Sequence, residues 1–106
     1  MNNNNYNALM KALNYGFDND KKLIIYWNNG LIVNCSSITG EYETDTEPED
    51  EDYIGEYAAT VGDVEILTYG NDDSVLIYND CIEISIKCIP SKVMLEDGTI
   101  LWERNI

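Results

Sequence analysis

The chain has 106 residues, with six Lys or Arg against 20 Asp or Glu, a formal net charge of -14 and an isoelectric point near 4.1. That length suits one domain with a modest core, and 44% hydrophobic residues are enough to build it. A field of this sign repels phosphate and anionic lipid, so direct binding to nucleic acid or to an acidic membrane is disfavoured.

An Asn-rich start, Asn2 to Asn5, favours a frayed terminus and an N-cap. Tyr6, Leu9, Met10, Leu13 and Phe17 then recur at helical spacing, with Gly16 as the expected C-terminal stop. From Lys22 the period changes to two. Leu23 to Trp27 and Leu31 to Ser36 flank Asn28-Asn29-Gly30 and predict a hairpin with Leu31, Val33 and Cys35 on one face. Tyr53 to Thr60 and Val64 to Tyr69 predict a second hairpin around Val61-Gly62-Asp63. A third is expected to join Val75 to Tyr78 with Cys81 to Lys87 across Asn79-Asp80, with Ile82, Ile84 and Ile86 inward and Glu83, Ser85 and Lys87 outward. Pro90 ends that strand, and Val93 to Leu95 pairs with Thr99 to Trp102 around Glu96-Asp97-Gly98.

One helix followed by about seven or eight short strands gives an α+β fold. The N-terminal helix packs on a strongly bent antiparallel sheet or on a small β-barrel. The order of elements resembles that of SH3-like and Sm-like domains, a resemblance that implies architecture and not function.

Catalytic chemistry is poorly supplied. There is no His, which removes the usual general base near neutral pH and the common nucleophile pairs. A single Arg104 and the lack of any GxGxxG or Gly-rich Lys-Ser/Thr loop argue against phosphoryl transfer and nucleotide cofactors. The expectation is therefore a non-enzyme with no cofactor, no resident metal and no catalytic residues. Cys35, Cys81 and Cys88 are an odd set without CxxC spacing, which fits reduced thiols. No apolar run approaches the roughly 18–20 residues of a membrane span, and Met1 to Asn7 lacks a secretory pattern, so a cytoplasmic location is expected.

The sign of the charge along the chain is the most informative feature. Residues 23–86 contain no Lys or Arg, yet they hold most of the carboxylates. Within them Glu41, Glu43, Asp45 and Glu47 alternate with Tyr42, Thr44, Thr46 and Pro48, and Glu49, Asp50, Glu51 and Asp52 follow in a row. If extended, the alternating stretch lines its carboxylates along one face at intervals of about 6.6–6.8 Å. Asp45, Glu47, Glu49 and Glu56 lie at offsets like those of an EF-hand loop, but Asp50 stands where that loop needs Gly and Pro48 interrupts it. Eight Tyr and two Trp against one Phe favour rings with a polar tip, which suit interfaces.

A solvated acidic loop that only aids solubility is one reading. The other is a surface for a basic protein, with Glu41, Glu43, Asp45, Glu47, Glu49, Asp50, Glu51, Asp52 and Glu56 supplying charge and Tyr42, Tyr53 and Tyr57 anchoring. In size, acidity and aromatic content the chain resembles the small inhibitors carried by phages and mobile elements, including anti-CRISPR and anti-restriction proteins. That resemblance implies a nucleic-acid mimic that occupies the cationic groove of a nuclease or CRISPR effector. A structural module whose barrel edges pair into a homo-oligomer, and an immunity protein to a basic toxin, remain open alternatives.

Overall fold

In the computed structural model, which describes residues 3–104, the helix α1 spans Asn3–Asp18. Its buried stripe is Leu9, Ala12, Leu13 and Gly16, with Met10 beside it, and Phe17 is 47% exposed. The stripe is thus rotated from the one marked by large apolar residues. The reason is that Gly16 is a contact residue, not a stop: a Cβ there would lie 3.0 Å from Cδ1 of Leu23. The helix ends two residues later. Asp20 has a positive φ of 51°, its N–H donates to the Phe17 carbonyl, and the Lys21 N–H donates to the Gly16 carbonyl at 3.0 Å. This is the Schellman pattern, with Asp in the position that Gly usually fills. Met1 and Asn2, at the expected frayed start, lie outside the described residues, whereas Asn5 is engaged: Trp102 Nε1–H donates to both its backbone and side-chain oxygens.

Six antiparallel strands follow: β1 (Lys22–Tyr26), β2 (Ile32–Glu43), β3 (Tyr57–Thr68), β4 (Ile82–Ile84), β5 (Lys92–Leu95) and β6 (Ile100–Glu103). They form one sheet in the order β4-β3-β2-β1-β5-β6. The fold is α+β with a bent sheet that does not close, so the barrel alternative is not realised. The two outermost strands, β4 and β6, are three and four residues long, and α1 packs across the face between β3 and β6. The buried face carries Leu23, Ile25, Val33, Cys35, Val61, Ile82, Ile84 and Val93 under α1. The expected inward set Leu31, Val33 and Cys35 is buried as read.

The β1–β2 hairpin forms at Asn28-Asn29-Gly30, where Gly30 has φ 96° and Trp27 N–H donates to the Leu31 carbonyl at 2.9 Å. The terminal hairpin of β5 and β6 also forms, closed by Leu95 N–H to the Thr99 carbonyl at 2.8 Å. The second expected hairpin does not. Val61-Gly62-Asp63 lies inside the continuous strand β3, and Tyr53 to Glu56 lie outside any strand. Asp63 takes a positive φ of 51° where the register slips between the Asn34↔Glu65 and Ser36↔Gly62 pairs. Turn-type residues here make a bulge in place of a reversal.

The third hairpin is half formed. Asn79 and Asp80 both have positive φ, and Tyr78 and Cys81 exchange backbone hydrogen bonds at 2.9 Å, as a two-residue primed turn requires. Val75 to Ile77 do not extend that pairing as a strand. After Ile84 the alternation breaks, because Ser85 and Cys88 form an isolated bridge around a turn. Ser85 is consequently buried and Ile86 exposed, the reverse of the period-two expectation. The three thiols are free; Cys35 is fully buried, and burial pushes its pKa up to about 12.

The contact between Gly16 and Leu23 gives a direct test. Gly16→Val forces side-chain atoms into the space held by Leu23, and overpacking of this kind costs about 1–3 kcal/mol. The urea midpoint should fall accordingly, whereas Phe17→Ser, at an exposed position, should change it much less.

Candidate partner interface

The sequence-predicted site residues occupy one end of the β2–β3 ribbon. Glu41, Tyr42 and Glu43 close β2, Asp45 to Glu56 form the connecting loop, and Tyr57 opens β3. The ribbon is irregular just before this end. Ser37 pairs with Val61 and Glu41 with Ala59, so β2 carries extra residues, and Gly40 takes a positive φ of 64° within them. The helix fixes this irregularity, since Glu41 N–H donates to Asn14 Oδ1 at 2.6 Å.

The acidic loop is held at its neck by threonines. Thr44 N–H donates to the Glu56 carbonyl at 2.8 Å, and the hydroxyls of Thr44 and Thr46 both donate to the Gly55 carbonyl. Ile54 N–H in turn donates to the Thr46 hydroxyl at 3.2 Å. At the tip, Asp50 Oδ2 accepts from Glu47 N–H and Asp50 N–H donates to the Glu47 carbonyl, both at 2.9 Å. Thr44 and Thr46 are half-buried while Glu41, Glu43, Asp45 and Glu47 are exposed, so the alternation read from the sequence has a structural counterpart. Glu49, Asp50, Glu51, Asp52 and Glu56 are exposed as well, Tyr53 is half-buried and Tyr57 is 38% exposed. Asp45, Glu47, Glu49 and Glu56 do not converge as an EF-hand would require: among the described residues no group of three or more His, Cys, Asp or Glu could hold a metal ion.

The carboxylates do not form one row. Register places Glu41 and Glu43 opposite Ala59 and Tyr57, on the helix side of the sheet. Glu83 of β4 stands opposite Thr60, on the other side. Tyr42 shares that second side and donates to Glu83 Oε2 at 2.8 Å. Burial, with the Glu83 carboxylate adding to it, raises the Tyr42 phenol above its usual range. Tyr6 of α1 donates to the Tyr57 carbonyl, and its pKa is pushed up to about 12 by burial first and then by Glu41 and Glu83. Tyr6 and Glu83 were not among the sequence-predicted residues. Tyr6 was absorbed into the helix stripe, and only strand order brings Glu83 beside Tyr42.

The sheet order converts the linear charge bias into a spatial one. Lys22 belongs to β1 and Lys92 to β5, while Arg104 follows β6. Among the described residues, strands β2, β3 and β4 and the loop between β2 and β3 carry no Lys or Arg, and Lys87 follows β4. This part of the sheet continues into the connection from β3 to β4, residues 69–81. It is tied to the β1–β2 turn through Asn29, whose Nδ2 donates to Asp72 Oδ1 at 3.1 Å and whose carbonyl accepts from Asn71 N–H at 2.8 Å. Hydrogen bonds from Ser74 and then from Asn29 hold the Asp72 carboxyl below the usual range.

The exposed carboxylates thus stand on a backbone ordered by the threonine neck, with Tyr42 and Tyr53 half-buried beside them. Over residues 4–106 the chain matches the family described as cognate immunity protein YxxD, and it belongs to that family. It is therefore an immunity protein, an inhibitor that binds a partner toxin, and of the functions open to the sequence immunity is the one the family supports. No curated protein and no solved structure matches the chain. Among the described residues no helix is long and apolar enough to cross a membrane.

Two measurements check this geometry. Tyr6 has a higher pKa folded than the ordinary 10.0, so its contribution to stability is complete below pH 10 and is lost as the pH rises through about 12. Tyr6→Phe should cost about 1 kcal/mol at pH 7 through the lost hydrogen bond, and the gap to wild type should narrow between pH 10 and about 12. Asn29→Ala should accelerate amide exchange at residues 71–74 about tenfold while leaving exchange in β2 and β3 unchanged.

Proposed function

We propose that the protein neutralises a cationic toxin in the cytoplasm by covering a basic groove that the toxin uses to bind nucleic acid. The observation that supports this most strongly is the segregation of charge: among the described residues, strands β2, β3 and β4 and the loop between β2 and β3 carry exposed Glu and Asp and no Lys or Arg. A basic groove built to release counterions from phosphate gains the same release from fixed carboxylates. The field also accelerates encounter, with on-rates that fall as salt rises. The threonine neck matters here, because it holds the two ends of the loop backbone that carries the carboxylates and so lowers the ordering cost of association.

The test begins with a pulldown by the wild-type chain and identification of the retained toxin by mass spectrometry. Binding of that toxin is then measured over graded salt, in competition with a nucleic acid. Reversal of Glu49, Asp50, Glu51 and Asp52 to Lys should slow association at least tenfold and flatten the salt dependence, and the nucleic acid should compete with the wild-type chain. Unchanged association after reversal would rule out the electrostatic mechanism while leaving family membership intact.

A further inference from the structure

The acidic loop is not where the protein leaves its apolar surface. The three most exposed large apolar residues described are Leu76 at 82%, Tyr69 at 79% and Tyr78 at 78%, and all three lie in the β3–β4 connection. Along this segment Val75 and Ile77 pack against the core while Leu76 and Tyr78 alternate outward. Leu76 lines two clefts at once. One, of about 440 Å³, also includes Ile54, Thr60, Tyr78 and Glu83. The other, of about 460 Å³, includes Tyr69, Asp72, Asp73 and Ile66. The ridge is therefore flanked by two hollows, the first carrying Glu83 and Lys87 and the second Asp72 and Asp73, and Ile54 connects the first hollow to the acidic loop.

Resting on the immunity function proposed above, we infer that this ridge is the anchoring centre of the toxin interface, with Leu76 and Tyr78 inserting into an apolar depression rimmed by Lys or Arg on the toxin. Scattered apolar residues on a surface are ordinary, but three nearly bare ones on a single connection mark a docking surface. The backbone is already ordered for the purpose. Asn29 staples its start, and the Asn79-Asp80 turn, with its paired Tyr78 and Cys81 hydrogen bonds, fixes its end. Asp72 and Asp73 at the second hollow select a basic rim on that side, whereas at the first hollow Glu83 is accompanied by Lys87. The two aspartates also oppose a second copy of this chain, whose net charge of -14 would meet its own sign. Apolar anchors set the dissociation rate and the outer carboxylates set the encounter rate, so the two parts separate kinetically.

The experiment uses the full chain and the toxin retained by the wild-type protein. Leu76→Ser and Tyr78→Ser, singly and together, remove apolar surface without changing charge at positions too exposed to support the fold, which a thermal melt checks. Each single variant should weaken toxin binding about thirty-fold, the usual threshold of a hot-spot residue. The loss should fall in the dissociation rate, with the association rate and salt dependence unchanged. The double variant binding within threefold of wild type, while reversal at residues 49–52 slows association, would overturn the ridge and leave the immunity mechanism standing. Indifference of binding to both sets of variants would overturn both. A dimer of the free chain that Leu76→Ser dissolves would assign the ridge to self-association and likewise overturn the inference.

Discussion

The long ribbon of β2 and β3 is the constraint on which the other features depend. Each strand has 12 residues, so the pair extends roughly 35–40 Å, longer than the helix it must cover. A ribbon of that length would run straight past α1 if its register were regular. It is broken between Ser37 and Glu41, where Gly40 has a positive φ, and again beside Asp63. Such bulges bend strands and sharpen their twist. The bend lets Cys35 and Val61 share one buried face with Leu9 and Leu13 while the far end of the ribbon projects into solvent. The acidic loop caps that far end, and the β3–β4 connection starts from the other.

Both outer surfaces are thus products of the same core. Asn14 on the helix accepts from Glu41 at the first irregularity, and Val64 N–H, one residue past Asp63, donates to the Asp80 carbonyl at 3.0 Å. The first bond fixes where the carboxylates of β2 begin. The second holds the returning chain beside β3, so that β4 starts in register with Val61. Tyr42 then crosses β3 to reach Glu83, tying the acidic end of the ribbon to the edge strand.

The sequence was most legible where one residue type has one use. Asn79-Asp80 and Asn28-Asn29-Gly30 need positive φ for a tight reversal, and both reversals form. Val61-Gly62-Asp63 was misleading because a bulge draws on the same residues as a turn, and only the partner strand decides between them. Gly16 was misread because a small residue buried by close approach leaves no hydrophobic signal, which allowed Phe17 to stand in for it. The alternation across Ile82 to Lys87 failed at Ser85 because a turn at Ile86 and Lys87 inverts the phase, something period alone does not reveal. The acidic residues of the candidate interface were visible as a run. The exposure of Leu76 and Tyr78 was not, since alternating apolar residues in a short segment look the same whichever set is buried.

That last ambiguity has a physical consequence for an inhibitor. Charge is easy to find in a sequence, and it is also the part of an interface that salt weakens and that many basic proteins would accept. Discrimination between one toxin and another requires shape, which means apolar side chains on a backbone that does not yield. On the proposed mechanism the two requirements fall to adjacent regions of this protein, field to a threonine-clamped loop and form to a stapled, turn-closed connection. The cleft shared by Ile54, Tyr78 and Glu83 joins them, so under the proposed mechanism a toxin drawn in by the loop would already be placed beside the ridge.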